Sequence, residues 1–138
     1  SISVTLTQPL LLSVSMSSPV YGGGYNIPCR GQTTGSITVN PSGGCAPFTY
    51  SWSDIGPGPG VRTGLGAGIY CVTVTDANGC TSSSCDTLPE PSSVVALINI
   101  LVINPGNPIS CFGACDGSAY ATVTGGSPPY SYNWYQSI

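Results

Sequence analysis

The chain has 138 residues, only 5% of them charged, and a formal net charge of −3 at pH 7. Its only cations are two arginines, which excludes the basic surface that nucleic acid or anionic lipid requires. Nineteen glycines and thirteen prolines are frequent enough to suggest disorder. However, runs of alternating β-branched and aromatic residues recur along the chain and indicate folded β-structure.

Seven cysteines in a chain without histidine predict disulfides rather than zinc ligands. An oxidising, extracellular location follows from that prediction. The first residues, SISVTLTQP, lack the basic region of a signal peptide and resemble a strand. The apolar run at 94–103 is too short and too β-branched to be a membrane-spanning helix. We therefore interpret the chain as a piece of a longer exported protein.

A period of 82 residues organises the chain. GGCAPFTYSW, which starts at residue 43, returns as GGSPPYSYNW, which starts at residue 125. The same offset aligns Cys29 with Cys111, and TLTQP with TLPEP, without a gap. This internal repeat predicts the last strand of a preceding repeat at 1–9, a complete Ig-like repeat at 10–91 and the first half of a following repeat at 92–138.

Within the complete repeat, strand signals alternate with glycine, proline and asparagine turns. The predicted strands are LLLSVSM, GSITVNPS, PFTYSWS, GIYCVTVTD and CTSSSCDTL. Large apolar side chains fall on one face of PFTYSWS and of GIYCVTVTD, as in a sheet with one buried face. The fold class predicted is all-β, with tandem Ig-like or PKD-like antiparallel β-sandwich repeats stabilised by disulfides.

The alternation also predicts which side chains form the cores of the repeats. They are Tyr50, Trp52, Tyr70, Val72, Val74 and Trp134. The run at 94–103 is almost wholly apolar, so we expect both of its faces to lie against protein. The aligned stretch of the complete repeat, LSVSMSSPVY, is far more polar, which suggests a special contact in the second copy.

The segment TDANGC, at 75–80, predicts a type I turn in which Gly79 is left-handed. The turn residues are Asp76, Asn78 and Gly79. Counting outward from this turn places Cys71 opposite Cys85, at a position where the two Cα atoms are close. We therefore predict a cross-strand disulfide between Cys71 and Cys85 on the outer face of the sheet.

The other cysteines leave alternatives open. Cys29 and Cys80 lie near loop ends, and a bridge between them would tie an early loop to the closing hairpin. Cys111 repeats Cys29, so its partner is expected beyond residue 138. Cys45 and Cys115 have no counterpart in the other repeat; the options are a bridge between adjacent repeats and, for Cys115, a local bridge to Cys111.

The motifs GIYCVTVTDANGC and GGSPPYSYNW resemble the SprB-type repeat, which occurs in large cell-surface adhesins of gliding Bacteroidota. The resemblance covers the whole chain, as one complete and two partial copies. It implies tandem Ig- or PKD-like sandwiches, type IX secretion, and an adhesive or filament role. The chain departs from the pattern by its extra cysteines at 45, 71, 85 and 115. This excess of cysteines favours mechanical or chemical toughness.

The sequence does not predict a catalytic site, a metal site or a cofactor. Histidine and lysine are absent, and the serines therefore lack a base. The five carboxylates, Asp54, Asp76, Asp86, Glu90 and Asp116, are too scattered for a calcium site.

Two features bear on sugars. Tyr21 and Tyr25 flank a run of three glycines and could stack on a glycan, although anchoring of the loop is the favoured interpretation. The tripeptide DTL at 86–88 resembles the Bacteroidota acceptor pattern for O-glycans, which makes Thr87 a candidate acceptor in a glycoprotein.

The favoured function is a structural module of a secreted filament or cell-surface fibre, stiffened by disulfides and polymerising through strand edges. The expected partners are other copies of the chain or neighbouring repeats, with neither nucleic acid nor a membrane span. One alternative is an adhesin module that binds surface glycans or other cells, and another is an accessory domain of a secreted hydrolase.

Overall fold

A computed structural model describes residues 3–4, 7–101, 109–114 and 116–135 of the protein. The chain divides into two compact units, Ser1–Glu90 and Pro91–Ile138, which we describe separately. Both units are built from antiparallel strands, as the fold class predicted. In the described part of the chain, a three-residue 3-10 turn at Gly22–Gly24 is the one helical element.

Seven strands form the first unit. They are β1 Ser13–Ser17, β2 Gly35–Ser42, β3 Thr49–Trp52, β4 Gly56–Gly58, β5 Val61–Leu65, β6 Gly68–Thr75 and β7 Thr81–Leu88. One sheet has the order β1-β2-β5, and the other has the order β4-β3-β6-β7. Because buried side chains from both sheets join in one core, the unit is a β-sandwich.

The core of the first unit lies between these sheets, with each member at most 6% exposed. It consists of Ile27, Ile37, Val39, Trp52, Leu65, Val72, Val74 and Leu88. Tyr50 and Tyr70 are half-buried and pack against it. The Trp52 indole Nε1 donates a hydrogen bond to the Pro59 carbonyl at 2.9 Å, so the one polar atom of this ring is satisfied.

Strands β4 and β5 were not predicted from the sequence. They lie in GPGPGVRTGL, where frequent glycine and proline hide any alternation. Gly56 and Gly64 have φ values of 73° and 72°, a conformation that other residues rarely adopt. Pairing with β3 and with β2, rather than local preference, makes these segments strands.

The second unit contains β8, Val95–Leu101, and β9, Ser118–Thr124, paired antiparallel. Val95 is opposite Thr124, just as Ser13 is opposite Ser42 in the β1–β2 pair 82 residues earlier. The sequence period is therefore also a period of strand register.

The repeated glycine pair has the same conformation in both units. Gly43 and Gly44 have φ values of 72° and 63°, and the pair at 125 and 126 has values of 75° and 66°. A Cβ on Gly43 would overlap the carbonyl oxygen of Leu11, and the second pair meets the carbonyl of Ser93 in the same way. Only glycine fits this turn, which explains why the repeated motif begins with a glycine pair in each copy.

Replacing Gly43 with alanine is expected to lower the free energy of unfolding of the first unit by about 1–3 kcal/mol. The positive φ and the Leu11 carbonyl both oppose the added methyl group. Gly31→Ala is the control, because Gly31 also has a positive φ but open space around it. Chemical denaturation measures both variants, and an equal loss would mean that φ alone matters at Gly43.

Two expectations about strands differ from the structure. In the segment predicted as a preceding repeat's last strand, residues 3–4 and 7–9 are in no strand, and the rest of 1–9 lies outside the described residues. The assignment of 1–9 to a preceding repeat stays a prediction. In the run at 94–103, both faces of β8 are exposed, and residues 102–103 lie outside the described residues. The reason is that β8 has one neighbour, β9, and no facing sheet among the described residues.

Candidate structural and interaction sites

The structure contains the disulfide between Cys71 and Cys85 that the turn register predicts. The two residues are opposite each other in the β6–β7 ladder, with their Cα atoms 4.0 Å apart. Thr73 and Ser83 form the next pair on the same face, one step closer to the turn, and their hydroxyl groups share a hydrogen bond of 3.0 Å. The bond therefore fastens the edge strand β7 to the interior of its sheet.

The predicted bridge between Cys29 and Cys80 is wrong for this structure, in which both thiols are free and exposed. Cys80 immediately precedes β7, whereas the loop that contains Cys29 lies beyond its other end, where the Gly31 N–H donates to Glu90 at 2.6 Å. An eight-residue strand spans roughly 26 Å, far more than a disulfide. Cys111 is also free and exposed, and Cys115 lies outside the described residues.

Asp76 organises the predicted turn, and Gly79 has the expected positive φ of 82°. The Asp76 carboxylate is 6% exposed and accepts hydrogen bonds from the backbone N–H groups of Asn78 at 2.9 Å and Cys80 at 2.8 Å. A third donor, the Cys45 N–H at 3.0 Å, comes from the loop between the two sheets. Sequence reasoning missed this contact because Cys45 lies 31 residues before Asp76.

Burial by itself would raise the pKa of Asp76. The hydrogen bonds from the N–H groups of Cys45, Cys80 and Asn78 outweigh it and hold the pKa below the ordinary value of 3.8. The folded state thus favours the ionised carboxylate, which joins the crossover loop to the β6–β7 hairpin.

The first unit is expected to lose stability as the pH falls from about 4, because protonation of Asp76 removes the charge that its three donors stabilise. A carboxylate whose pKa is lower in the folded state than in the unfolded state stabilises the fold at pH values above the unfolded-state pKa. This stabilisation is lost as the pH falls through the folded-state pKa. Denaturant midpoints of the native chain and of Asp76→Asn measure this at pH 7 and pH 2.5. The difference in denaturant midpoint between the native chain and Asp76→Asn should be smaller at pH 2.5 than at pH 7. A difference independent of pH would contradict the stabilising role of the ionised Asp76.

Arg62 bridges the two sheets at the edge of the core. It lies on β5, and its guanidinium carbon is 4.8 Å from the centroid of Trp52 and 5.4 Å from that of Tyr70. Two parallel hydrogen bonds of 2.7 and 2.8 Å join it to Asp54. These hydrogen bonds are the main cause of the lowered pKa of Asp54. One of the two cations of the chain is therefore committed to structure.

Arg62→Lys is expected to destabilise the first unit by about 0.5–1.5 kcal/mol, although the charge is kept. Lysine cannot stack as a plane between Trp52 and Tyr70, nor form the paired bonds to Asp54. The exposed Arg30 provides the control, since Arg30→Lys should leave the denaturant midpoint within error. If both variants behaved alike, the planar stacking would contribute nothing.

Each carboxylate accepts hydrogen bonds from different residues. Asp54 binds Arg62, Asp76 binds the turn, Asp86 accepts from the Ser18 hydroxyl, Glu90 accepts from Gly31, and Asp116 accepts from the Ser110 N–H. The Ser110 contacts lower the pKa of Asp116. Within the described ranges, no three cysteine or acidic side chains converge as a metal site would require.

The long loop before β2 is held by Asn26, which the sequence did not single out. Its buried amide donates to the Pro19 carbonyl at 2.7 Å and to the Ser18 hydroxyl at 2.9 Å. The Tyr21 N–H donates to the Tyr25 carbonyl at 2.7 Å across the three glycines. Tyr21 remains exposed, while Tyr25 is half-buried.

Trp134 was predicted to be a core residue, but its side chain is 56% exposed. Its counterpart in the first unit, Trp52, is 2% exposed beneath residues of β5, β6 and β7. The described part of the second unit has no counterparts of these strands, so nothing covers the tryptophan. Instead, Trp134 lines an open apolar groove of about 430 Å³ with Ala96, Ile98 and Tyr130.

Thr87, the candidate glycan acceptor, is exposed on the edge strand β7, next to the buried Leu88. Its hydroxyl lies on the same outward face as Cys85, because the two residues are separated by one position of the strand. An O-glycan on Thr87 stays a prediction.

The SprB repeat family model matches residues 26–57 and 106–137. The second segment starts 80 residues after the first, and each contains one of the two glycine-pair motifs, GGCAPFTYSW and GGSPPYSYNW. No curated protein matches the chain, and no solved structure does either. Among the residues described, no helix has the length and apolar character needed to cross a membrane.

Proposed function

We propose that this chain, whose segments 26–57 and 106–137 match the SprB repeat family model, is a structural module of a secreted filament or cell-surface fibre. The SprB repeat is a family of cell-surface repeat modules rather than enzymes. Its partners are other copies of the chain or neighbouring repeats, and the proposal needs no cofactor. The disulfide-fastened first unit acts as the stiff element, and the second unit supplies the contact surface.

The observation that carries the proposal is the outward face of β8. In β1, the outward positions are the serines 13, 15 and 17, which suit contact with water. The same positions of β8 hold Val95, Leu97 and Asn99, and Leu101 follows on that face. The three apolar residues of this face are about half exposed or more. Exposed apolar side chains that replace serines at the same repeat positions are typical of an interface, because exposing apolar surface to water costs free energy.

Two further features support assembly. The surface carries few charges to keep copies apart, with a net charge of only −3 over 138 residues. The strands β1 and β5 are the edges of their sheet, and an edge strand offers unpaired backbone groups to a neighbouring chain. An oxidising extracellular location agrees with the disulfide between Cys71 and Cys85.

Electron microscopy and light scattering of the full chain test the proposal. We expect ordered polymers with an axial period on the scale of one repeat. The variant Val95→Ser/Leu97→Ser gives the second repeat the outward residues of the first and should remain monomeric. As a control, Ile69→Ser replaces an exposed apolar residue of the first unit and should still polymerise. A native chain that stays monomeric at high concentration would contradict the proposal.

The adhesin alternative is favoured by one observation, the exposed ring of Tyr21 on an anchored loop, since aromatic rings stack on sugars. In this case the native chain would be a monomer that binds a component of a glycan array, and Tyr21→Ala would abolish that binding. A glycan attached to Thr87 is a separate proposal. Intact-mass analysis of protein from its natural source tests it, with Thr87→Ala expected to lose the added mass.

A further inference from the structure

Two of the free cysteines, Cys45 and Cys80, are held by the same buried carboxylate. The Cys45 N–H donates to Oδ2 of Asp76 at 3.0 Å, and the Cys80 N–H donates to Oδ1 at 2.8 Å. The carbonyl of each cysteine is also engaged, because Ala77 donates to that of Cys45 and Asp76 donates to that of Cys80, both at 2.9 Å. Neither cysteine is therefore free to move far from the turn.

These contacts set an upper limit on the separation of the two cysteines. Since the oxygens of one carboxylate are close together, the two backbone nitrogens are at most about 8 Å apart. Gly44, the direct neighbour of Cys45, lines one cleft of about 230 Å³ together with Cys80. Each Cα atom is one bond from its nitrogen, so the two Cα atoms are at most about 11 Å apart. The roughly 4.4–6.8 Å that a disulfide requires between its Cα atoms falls within this range.

We infer that Cys45 and Cys80 are the partners of a second disulfide, which closes when the free thiols of this structure are oxidised. The oxidant is a disulfide donor, such as oxidised glutathione or a thiol–disulfide oxidoreductase. The thiolate of the exposed Cys80 attacks one donor sulfur and releases the first reduced thiol. The Cys45 thiolate then displaces the second, so the pair loses two protons and two electrons and the donor disulfide is reduced.

The new bond joins the crossover loop between β2 and β3 to the β6–β7 hairpin, and so links the exit of one sheet to the other sheet. The bond is specific to the first unit, because the second copy has Ser127 at the position of Cys45. It goes beyond the proposed function, since it depends on neither polymerisation nor adhesion.

Disulfide mapping of the full chain tests the inference. The chain is incubated with oxidised glutathione, free thiols are alkylated, and an unreduced digest is analysed by mass spectrometry. We expect a cross-linked peptide pair that contains Cys45 and Cys80, and loss of alkylation at both. Cys29→Ser should leave this pair intact, whereas Cys45→Ser should restore alkylation of Cys80. Alkylation of Cys45 in protein whose Cys71–Cys85 bond has formed would overturn the inference, as would a bond from Cys45 to any other cysteine.

Asp76→Asn provides a second test, because the amide keeps one acceptor oxygen and replaces the other with an NH2 group that cannot accept. The variant can therefore hold the N–H of Cys45 or that of Cys80, but not both. The Cys45–Cys80 bond should close several-fold more slowly in this variant, while the Cys71–Cys85 bond forms as before and reports an intact β6–β7 ladder. An unchanged closing rate would overturn the positioning role assigned to Asp76. The mapping is performed on monomeric protein, so a failure to polymerise and a failure to form the bond are separate results.

Discussion

Replacing Trp52 with alanine is expected to lower the free energy of unfolding of the first unit by about 3–5 kcal/mol. The ring is 2% exposed and lies in the core between the two sheets. Its removal leaves a cavity, frees the Pro59 carbonyl and takes away one of the two rings against which Arg62 stacks. The free energy of unfolding of a small domain is typically about 5–15 kcal/mol, so this loss is large for a unit of this size.

Hydrogen exchange detected by mass spectrometry measures this effect on the full chain, because peptides from β3 and β6 report the first unit alone. The matched control is Trp134→Ala, which removes the same side chain at the same repeat position but from an exposed site. We expect this control to change protection in the first unit by less than about 0.5 kcal/mol. If Trp52→Ala cost no more than the control, Trp52 would not be the centre of the core.

Removing the disulfide is expected to produce the second large effect. The variant Cys71→Ser/Cys85→Ser should lose about 3 kcal/mol, because the bond closes a loop with a sequence separation of 14 residues and restricts the unfolded chain. The edge strand β7 should be affected first, since its one neighbour in the sheet is β6. Replacing both cysteines leaves no new reactive thiol behind.

Chemical denaturation of the full chain measures this loss, with Cys29→Ser as the control for replacing an exposed free thiol. The control should lie within about 0.5 kcal/mol of the native chain. Unchanged stability of the double variant would show that the bond restrains the unfolded chain less than a loop of this length should. Faster hydrogen exchange confined to β7 would locate the loss of stability on the edge strand.

The parts of the fold that sequence analysis predicted are those with local patterns. Strand-forming runs bounded by turn residues identified β2, β6 and β7 almost to the residue. The turn at 75–80 fixed the register of its hairpin, and the register alone placed Cys71 opposite Cys85. Hairpin register follows from turn geometry, so no knowledge of the remaining chain was required.

The errors and omissions share a different cause. The β5 strand is defined by its partner β2, and the third donor to Asp76 comes from a loop distant in sequence. The pairing of Cys29 with Cys80 was wrong because the two residues lie at opposite ends of β7, which the sequence does not show. Loop position in the sequence says nothing about which end of a sandwich a loop occupies.

The sequence by itself determined the 82-residue period, the all-β class, the inward face of each alternating strand and the glycine-pair turn that both copies need. These properties depend on backbone geometry and side-chain period within a few residues. Only the tertiary structure decided that Trp52 is buried while Trp134 is exposed, and that Cys45 and Cys80 meet at Asp76. Burial and long-range pairing depend on which strands pack against a segment. Two copies of the same motif can therefore differ in burial when different strands surround them.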